Sequence, residues 1–222
     1  TAHSLAEEPV GDAHRLELQR LADYVALYGG RAPSFEPGSR VEYSNYGFLL
    51  LGARIEKISG EDYYAYGEKH ISQPAGMKDT ASLPESVPVS NRSVGYMWSD
   101  TGLVSNVETL PYRGTSAGGG YSTVSDLLKF ASALESGRLL NATYTRLITM
   151  GKASISGHEY SYDLAHTTDD GVAYFGHGGG APGMNGDLKV FPASHYTVVV
   201  LSNLDPPAAR RISNFISNRL EF

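Results

Sequence analysis

The 222-residue chain contains no cysteine, no long hydrophobic run and no dense cluster of basic residues. The lack of cysteine excludes disulfides, thiolate metal ligands and a cysteine nucleophile. The longest apolar runs, Phe48–Leu51 and Val198–Leu201, are far shorter than the ~20 residues that cross a bilayer, so we expect no membrane span. With 18 Lys and Arg against 24 Asp and Glu, the net charge of −6 disfavours nucleic acid and anionic membranes as partners.

The residues that are present suit a soluble globular protein, with 41% hydrophobic residues, 25 glycines and 11 prolines. A chain of 222 residues fits one domain of ordinary size, which is our interpretation, or two small ones. The first residue is Thr1 rather than Met, and no signal-peptide pattern follows it. We therefore expect an N-terminal part to be missing. An export signal in that part would place the protein in the periplasm or outside the cell, and otherwise the compartment is open.

Helical patterns dominate residues 12–150. Helix-spaced apolar residues, capping residues and glycine stops predict five helices. They span residues 12–29, 44–60, 61–70 with an end at Pro74, 123–137, and 141–150. Residues 80–121 are rich in Ser, Pro, Gly and Tyr, so they are predicted to form a long loop of functional surface.

After residue 158 the pattern changes to that of β-strands. Four strand-like segments lie at 160–164, 172–175, 188–191 and 196–201, and turn residues such as Asp170-Gly171 separate them. A closing helix is predicted from about residue 207 to 220. Because helices precede an antiparallel meander and no βαβ alternation occurs, the order of elements predicts an α+β fold.

Four short motifs occur in one order along the chain. They are PGSRVEYSNYGF at Pro37–Phe48, QPAGMKDT at Gln73–Thr80, AGGGYST at Ala117–Thr123, and GHGG at Gly176–Gly179. Together they resemble the serine β-lactamase and penicillin-binding-protein superfamily, in particular its branch of class C β-lactamases, D-amino-acid peptidases and esterases. The resemblance implies a β-lactamase/transpeptidase-like domain, with a helical region over 12–150 and an antiparallel sheet with a C-terminal helix over 158–222.

That family carries out acyl transfer through a serine ester, and it uses three elements. They are Ser-x-x-Lys, Tyr-x-Asn, and Lys-Thr-Gly or His-Thr-Gly. This chain supplies Tyr43-Ser44-Asn45 and His177-Gly178-Gly179, but no lysine has a serine three positions before it. We therefore expect the later part of a serine hydrolase that acts on an ester, peptide or β-lactam carbonyl, with its nucleophile outside these residues. The alternative is a non-catalytic binding protein that keeps the cleft for a small-molecule or peptide ligand.

The resemblance gives the Tyr-x-Asn residues roles in proton transfer and positioning. Tyr43 would exchange the proton of the nucleophile and of the leaving group, which a phenol can do only when a cation or hydrogen bond favours its ionised form. Asn45 would hold the family's Lys and the substrate amide, while Ser44 points away. The alternative is that Tyr43 and Asn45 only cap the helix that follows.

His177 stands where the family has Lys or His. A histidine replaces a permanent cation by a group that titrates near neutrality, which favours ester or peptide substrates over penicillins. Gly178 replaces the family's usual Thr or Ser and removes a hydroxyl that contacts a substrate carboxylate. Gly180 would present a backbone N–H to the oxyanion. The alternative is that residues 177–180 form a flexible turn between strands.

The chain also contains a second serine-hydrolase pattern, but its surroundings do not fit that pattern. Gly114–Gly118 matches G-x-S-x-G, and Ser116, Asp169 and His177 follow in the order of α/β-hydrolases. A nucleophile elbow needs an apolar strand before it and a helix after it, and neither pattern is present. The histidines lack metal-binding spacing, so no metal and no cofactor are expected.

The strand predicted at 196–201 is apolar on both faces, which indicates a strand covered by helices on each side. Its neighbour along the chain is 188–191, across the turn at 192–195. The sequence offers no strand for its other edge. We expect that edge to pair with residues 1–11, with a second copy of the chain, or with a separate N-terminal segment, because an unpaired apolar edge promotes association.

Overall fold

A computed structural model describes residues 14–37, 39, 42–150, 153–155, 158–160, 164–169 and 172–221, without the side chains of 153–155, 158–160 and 165–169. The chain divides into two units. The helical unit comprises Thr1–His70, Thr80–Arg92 and Thr109–Tyr121, and the sheet unit comprises Ile71–Asp79, Ser93–Glu108 and Ser122–Phe222. The assignment to a single domain stays a prediction. No helix in the described part of the chain is long and apolar enough to cross a membrane.

The helical unit begins with helix α1, Leu21–Tyr28, which starts later than the sequence predicts. The Asp23 carboxylate accepts hydrogen bonds from the backbone N–H groups of Gln19 and Arg20, and this fixes the start of the helix. Asp12, the predicted cap, lies outside the described residues.

Helix α2, Asn45–Ser59, matches its prediction at both ends. Ser44 caps its N-terminus, and Gly60 ends it in the left-handed conformation with φ 71°. The core of the helical unit forms where α2 packs on α1 and on the turn before it. Its buried members are Leu18, Leu21, Tyr24, Tyr28, Tyr46 and Leu49.

The next helical stretch runs past the proline that was predicted to end it. Helix α3, Tyr63–Gly67, is followed by a π-helical turn, Glu68–Ser72, and by the short helix α4, Gln73–Ala75. The predicted end at Pro74 is therefore wrong. Pro74 lies in the first turn of α4, where a missing N–H is tolerated, and Gly76 ends the helix with φ 76°.

The sheet unit contains a hairpin within the segment that was predicted to be loop. Strands β1, Tyr96–Ser99, and β2, Gly102–Ser105, pair antiparallel with Trp98 opposite Leu103. The loop prediction for 80–121 is wrong at these residues. Two helices follow, α5 at Val124–Glu135 and α6 at Ala142–Thr149, and they are capped by the predicted residues Thr123 and Asn141.

A six-stranded antiparallel sheet forms the centre of the sheet unit, and its strands lie in sequence order. They are β3 at Ala153–Ile155, β4 at His158–Tyr160, β5 at Ala165–Asp169, β6 at Val172–Ala181, β7 at Met184–Phe191 and β8 at Tyr196–Ser202. Helix α7, Ala208–Ser217, closes the unit. Of the strand predicted at 160–164, Tyr160 lies at the end of β4 and Leu164 directly precedes β5, whereas residues 161–163 and the Asp170-Gly171 turn lie outside the described residues. The α+β order is confirmed.

Helices cover both faces of the sheet at β7. Leu188 and Val190 pack in one cluster with Ala131 and Leu134 of α5. Lys189 points to the opposite face, where its Nζ donates to Asn214 Oδ1 of α7 at 2.8 Å. Both helices also contact β8. The expectation of a strand between two helical layers is therefore confirmed.

Candidate active site

The Tyr-x-Asn element lies at the start of α2. Tyr43 Oη donates to Asn45 Oδ1 at 3.1 Å, and the Tyr43 ring packs against Phe48 with centroids 5.5 Å apart. Tyr43 as a whole residue is 38% exposed. The sequence places a phenol and a carboxamide in contact because the two residues flank one extended residue before the helix begins.

Ser44, not Asn45, caps helix α2. The Ser44 Oγ accepts a hydrogen bond from the backbone N–H of Gly47 at 3.1 Å, and the Ser44 side chain is buried. The alternative in which Asn45 serves as the cap is wrong, because the helix starts at Asn45 and its amide contacts Tyr43. Neither Tyr43 nor Asn45 therefore caps this helix.

The His-Gly-Gly element lies inside strand β6. His177 pairs with Leu188 in register and Gly180 pairs with Asn185, so the flexible-turn alternative for residues 177–180 is wrong. The last pair between β5 and β6 joins Ala165 to Gly176. Beyond it, β7 is the strand that pairs with β6 among the described residues.

Glycine is required at 180 because the backbone there approaches its neighbours closely. A Cβ at this position would collide with Pro206 Cγ and would lie 3.0 Å from Asn185 Nδ2. Asn185 Nδ2 in turn donates to the Gly179 carbonyl, and Asn185 Oδ1 accepts from the backbone N–H of Ala209 at 2.7 Å. Asn185 therefore joins the exposed end of β6 to the start of α7.

The turn between β6 and β7 is held by two side chains. Asn106 is buried and its Nδ2 donates to the Pro182 carbonyl at 2.9 Å. The Asp205 carboxylate accepts from the backbone N–H groups of Trp98 at 2.8 Å and Gly183 at 2.7 Å. These two hydrogen bonds lower the pKa of Asp205 below its ordinary value. Asp205 therefore couples the β1–β2 hairpin to the turn that ends the candidate strand.

We expect Asp205 to make the stability of the protein depend on acidity. The pKa of Asp205 is lower in the folded state than the 3.8 of an unperturbed carboxyl. The ionised carboxylate therefore stabilises the fold above pH 3.8, and this stabilisation is lost as the pH falls through the folded-state pKa. Asp205→Asn should lower the Tm at pH 7 and lose less stability than the parent between pH 5 and pH 3. Thermal melts across this range measure it. Asp100→Asn, at an exposed turn residue, is the control. Equal acid sensitivity in parent and Asp205→Asn would contradict the assignment.

Ser116, the serine of the G-x-S-x-G match, has a packing role. Its Oγ donates to the Phe48 carbonyl at 2.9 Å, and Gly52 of α2 leaves room for it, because a Cβ at 52 would collide with this Oγ. Residues 115 and 118 form a tight turn instead of a strand-to-helix elbow. The geometry excludes the α/β-hydrolase interpretation at this serine.

The structure brings the predicted residues together in pairs. Tyr43 and Asn45 touch within the helical unit, and His177 and Gly180 lie on one strand of the sheet unit. Their catalytic and binding roles stay predictions. In the described part of the chain, no group of three His, Asp or Glu side chains is placed to hold a metal ion.

Sequence reasoning missed Asp187, a buried carboxylate on β7 opposite Gly178. The available signal was an acidic residue directly before the strand-like segment Leu188–Phe191, which we predicted to begin one residue later. The register that sets Asp187 beside Gly178 arises only from the pairing of β6 with β7.

The family model described as Beta-lactamase matches residues 2–221. The chain is 36% identical over 121 residues to the serine β-lactamase-like protein LACTB of Homo sapiens, and it is 33% identical over 129 residues to the D-alanyl-D-alanine-carboxypeptidase/endopeptidase AmpH of Escherichia coli. These matches cover 54% and 56% of this chain, but 22% and 31% of the two relatives. The chain therefore spans less than a third of either curated relative.

Two solved structures share the fold. The penicillin-binding protein from Bacillus halodurans has a TM-score of 0.83 and 29% identity over 92% of this chain and 63% of that one. The D-stereospecific amidohydrolase from Streptomyces sp. has a TM-score of 0.78 and 26% identity over 95% and 64%. The β-lactamase/transpeptidase-like fold and the resemblance in the sequence are thereby confirmed. The chain belongs to the β-lactamase family of serine hydrolases and penicillin-binding proteins.

Proposed function

We propose that this chain is part of a serine hydrolase that forms an acyl-enzyme on an ester, peptide or β-lactam carbonyl, with the nucleophilic serine outside these 222 residues. The observation that carries the proposal is the contact between the Tyr43 hydroxyl and Asn45 at the start of α2, within a chain of the β-lactamase family. A phenol can accept and return a proton beside a reacting serine when a cation favours its ionised form, which in the family is the Lys of Ser-x-x-Lys.

In this proposal the residues of the two units have separate roles. Tyr43 exchanges the proton of the nucleophile and of the leaving group, and Asn45 positions the substrate amide through its donor and acceptor atoms. His177 provides the basic side chain of the strand, and the backbone N–H of Gly180 stabilises the oxyanion. Among the described strands, only β7 pairs with residues 178–181 of β6, which supports an extended amide or ester as substrate because such a ligand can add along a strand edge.

A second candidate function is a binding protein with the same cleft and no nucleophile. The observation that favours it is the lack of a serine three residues before any lysine in the sequence. The two candidates make different predictions for the full-length protein, that is, the protein that the complete gene encodes. A Ser-x-x-Lys in that protein supports the hydrolase, whereas its absence supports the binding protein.

We expect a fluorophosphonate probe to label the full-length protein at the serine of Ser-x-x-Lys and to leave the 222-residue chain unlabelled. The reason is that the chain lacks the family's nucleophile and that its Ser116 hydroxyl is engaged with the Phe48 carbonyl. Mass spectrometry of the labelled peptides, with hydrolysis of nitrocefin and p-nitrophenyl acetate measured in parallel, gives the result. Stoichiometric labelling of Ser116 would overturn the proposal, and a full-length protein that is never labelled would favour the binding protein.

We also propose that a strand from outside the described residues completes the sheet at β8. Strand β8 pairs with β7 in register from Tyr196 opposite Phe191 to Ser202 opposite Asn185. No strand among the described residues pairs with its other edge. Residues 1–11, a second copy of the chain and a separate N-terminal segment are the three candidates for the missing neighbour.

A further inference from the structure

A buried carboxylate lies directly beside the strand of the candidate site. Asp187 of β7 stands opposite Gly178 of β6, and its side chain is 7% exposed. A Cβ at position 178 would lie 2.6 Å from Asp187 Oδ1, closer than two unbonded atoms can approach. The carboxylate of Asp187 therefore occupies the space that a side chain at 178 would enter, and it would have to move to admit one.

One oxygen of this carboxylate is an unsatisfied buried acceptor. Asp187 Oδ2 is buried and has no hydrogen-bond partner among the described residues. Lys189, two residues later on the same face, donates to Asn214 and lies 4.9 Å from the centroid of the Tyr174 ring. No ion pair of Asp187 occurs within the described part of the chain. A buried acceptor of this kind is stabilised by a donor or a cation that approaches it.

The strand above the carboxylate is open to ligands, since residues 178–181 are exposed. By the resemblance given above, position 178 of the family carries a hydroxyl that contacts a substrate carboxylate. Here a carboxylate oxygen takes that place. A hydroxyl donates to an anionic group, whereas a carboxylate repels an anion and attracts a cation. Replacing the hydroxyl by a carboxylate therefore reverses the charge of the substrate group that this site prefers.

We infer that Gly178 and Asp187 form a coupled pair that selects substrates by charge, favouring an ester or amide that carries an ammonium group over one that carries a carboxylate. This inference rests on the proposed function, because it assigns a substrate class to the same site. Asp187 is a specificity-determining residue in it and takes no part in bond making.

Three aryl esters of one acid test the inference in the full-length protein. They are the phenylacetyl esters of 3-methylphenol, 3-(aminomethyl)phenol and 3-hydroxybenzoic acid, which are neutral, cationic and anionic at pH 7 and nearly equal in shape. We expect kcat/KM for the cationic ester to exceed that for the anionic ester by ~10-fold or more, since like charges at close range disfavour binding. Asp187→Asn, which keeps the shape and removes the charge, should reduce this ratio by ~10-fold. Asp100→Asn, an exposed charge change in the same unit, should leave the ratio unchanged.

The neutral ester separates failure of the inference from failure of the proposed function. If the neutral ester is cleaved and Asp187→Asn leaves the charge ratio unchanged, the inference is wrong and the hydrolase proposal stands. If none of the three esters is cleaved, the hydrolase proposal fails and the inference fails with it.

The steric contact between positions 178 and 187 has its own test, a thermal melt, which does not require enzymatic activity. Gly178→Thr restores the family's residue but forces the Thr side chain against Asp187, so its Tm should fall by ~3 to 10 °C. Adding Asp187→Ala should recover most of that loss and shift the preference toward the carboxylate ester. Equal effects of Gly178→Thr with and without Asp187 would show that the two positions are not coupled, and would overturn the inference.

Discussion

Replacing Tyr43 by phenylalanine in the full-length protein should lower kcat by ~10²- to 10⁴-fold, the usual cost of removing a general acid or base. The substitution removes one hydroxyl and keeps the ring that packs against Phe48. Since the substitution keeps the ring and its packing at a residue that is 38% exposed, the fold should tolerate the change. The loss is therefore expected in turnover and not in stability.

Steady-state kinetics with p-nitrophenyl acetate, beside circular dichroism and thermal melts, measure this effect. Tyr144→Phe is a matched control, because Tyr144 lies on α6, is 56% exposed and has no part in the proposed site. The control should retain the parent kcat. A kcat loss below ~3-fold for Tyr43→Phe, with an unchanged Tm, would show that Tyr43 does not transfer the proton.

The parts of the fold that the sequence predicted well are those set by local chemistry. Ser44, Thr123 and Asn141 each place a side-chain oxygen where it accepts a backbone N–H of the first helical turn. Gly60 ends α2 in a conformation that other residues rarely adopt. These signals depend only on neighbouring residues, so helix ends can be predicted from a short stretch of sequence.

Elements that depend on pairing with another strand, rather than on their own apolar pattern, were predicted poorly. Residues 176–181 consist largely of glycine, which has low strand propensity, yet they continue β6 because β7 provides partners along their whole length. The β1–β2 hairpin was missed because Trp98 and Leu103 are 70% and 49% exposed and show no alternation toward a core. Its position depends on Asp205, more than 100 residues along the chain.

The candidate site shows the same division. Tyr43-Ser44-Asn45 and His177 could be picked out because they match motifs of fixed spacing. Asp187 could not, because its proximity to Gly178 is a property of strand register and its burial depends on α7 covering that face of the sheet.

The second large effect concerns the oligomeric state of the isolated chain. Strand β8 contains Thr197, Val198, Val199 and Val200 without a charged residue or proline, so its edge lacks the features that usually prevent pairing with another chain. Tyr196 and Leu201 are 40% and 41% exposed on it. We expect the 222-residue chain at micromolar concentration to elute as a dimer or a larger assembly.

A lysine at the exposed edge should prevent this association. Leu201→Lys places a charge on β8 and should shift the chain to a monomer, whereas Ile212→Lys, at a 53% exposed position on α7, should leave the assembly intact. Size-exclusion chromatography with light scattering measures the mass, and hydrogen exchange measures protection of the β8 amides. A monomeric parent with protected β8 amides would assign the edge to residues 1–11. A monomeric parent whose outward β8 amides exchange freely would contradict the proposal that a further strand completes the sheet, because such an edge would then be stable in water without a partner.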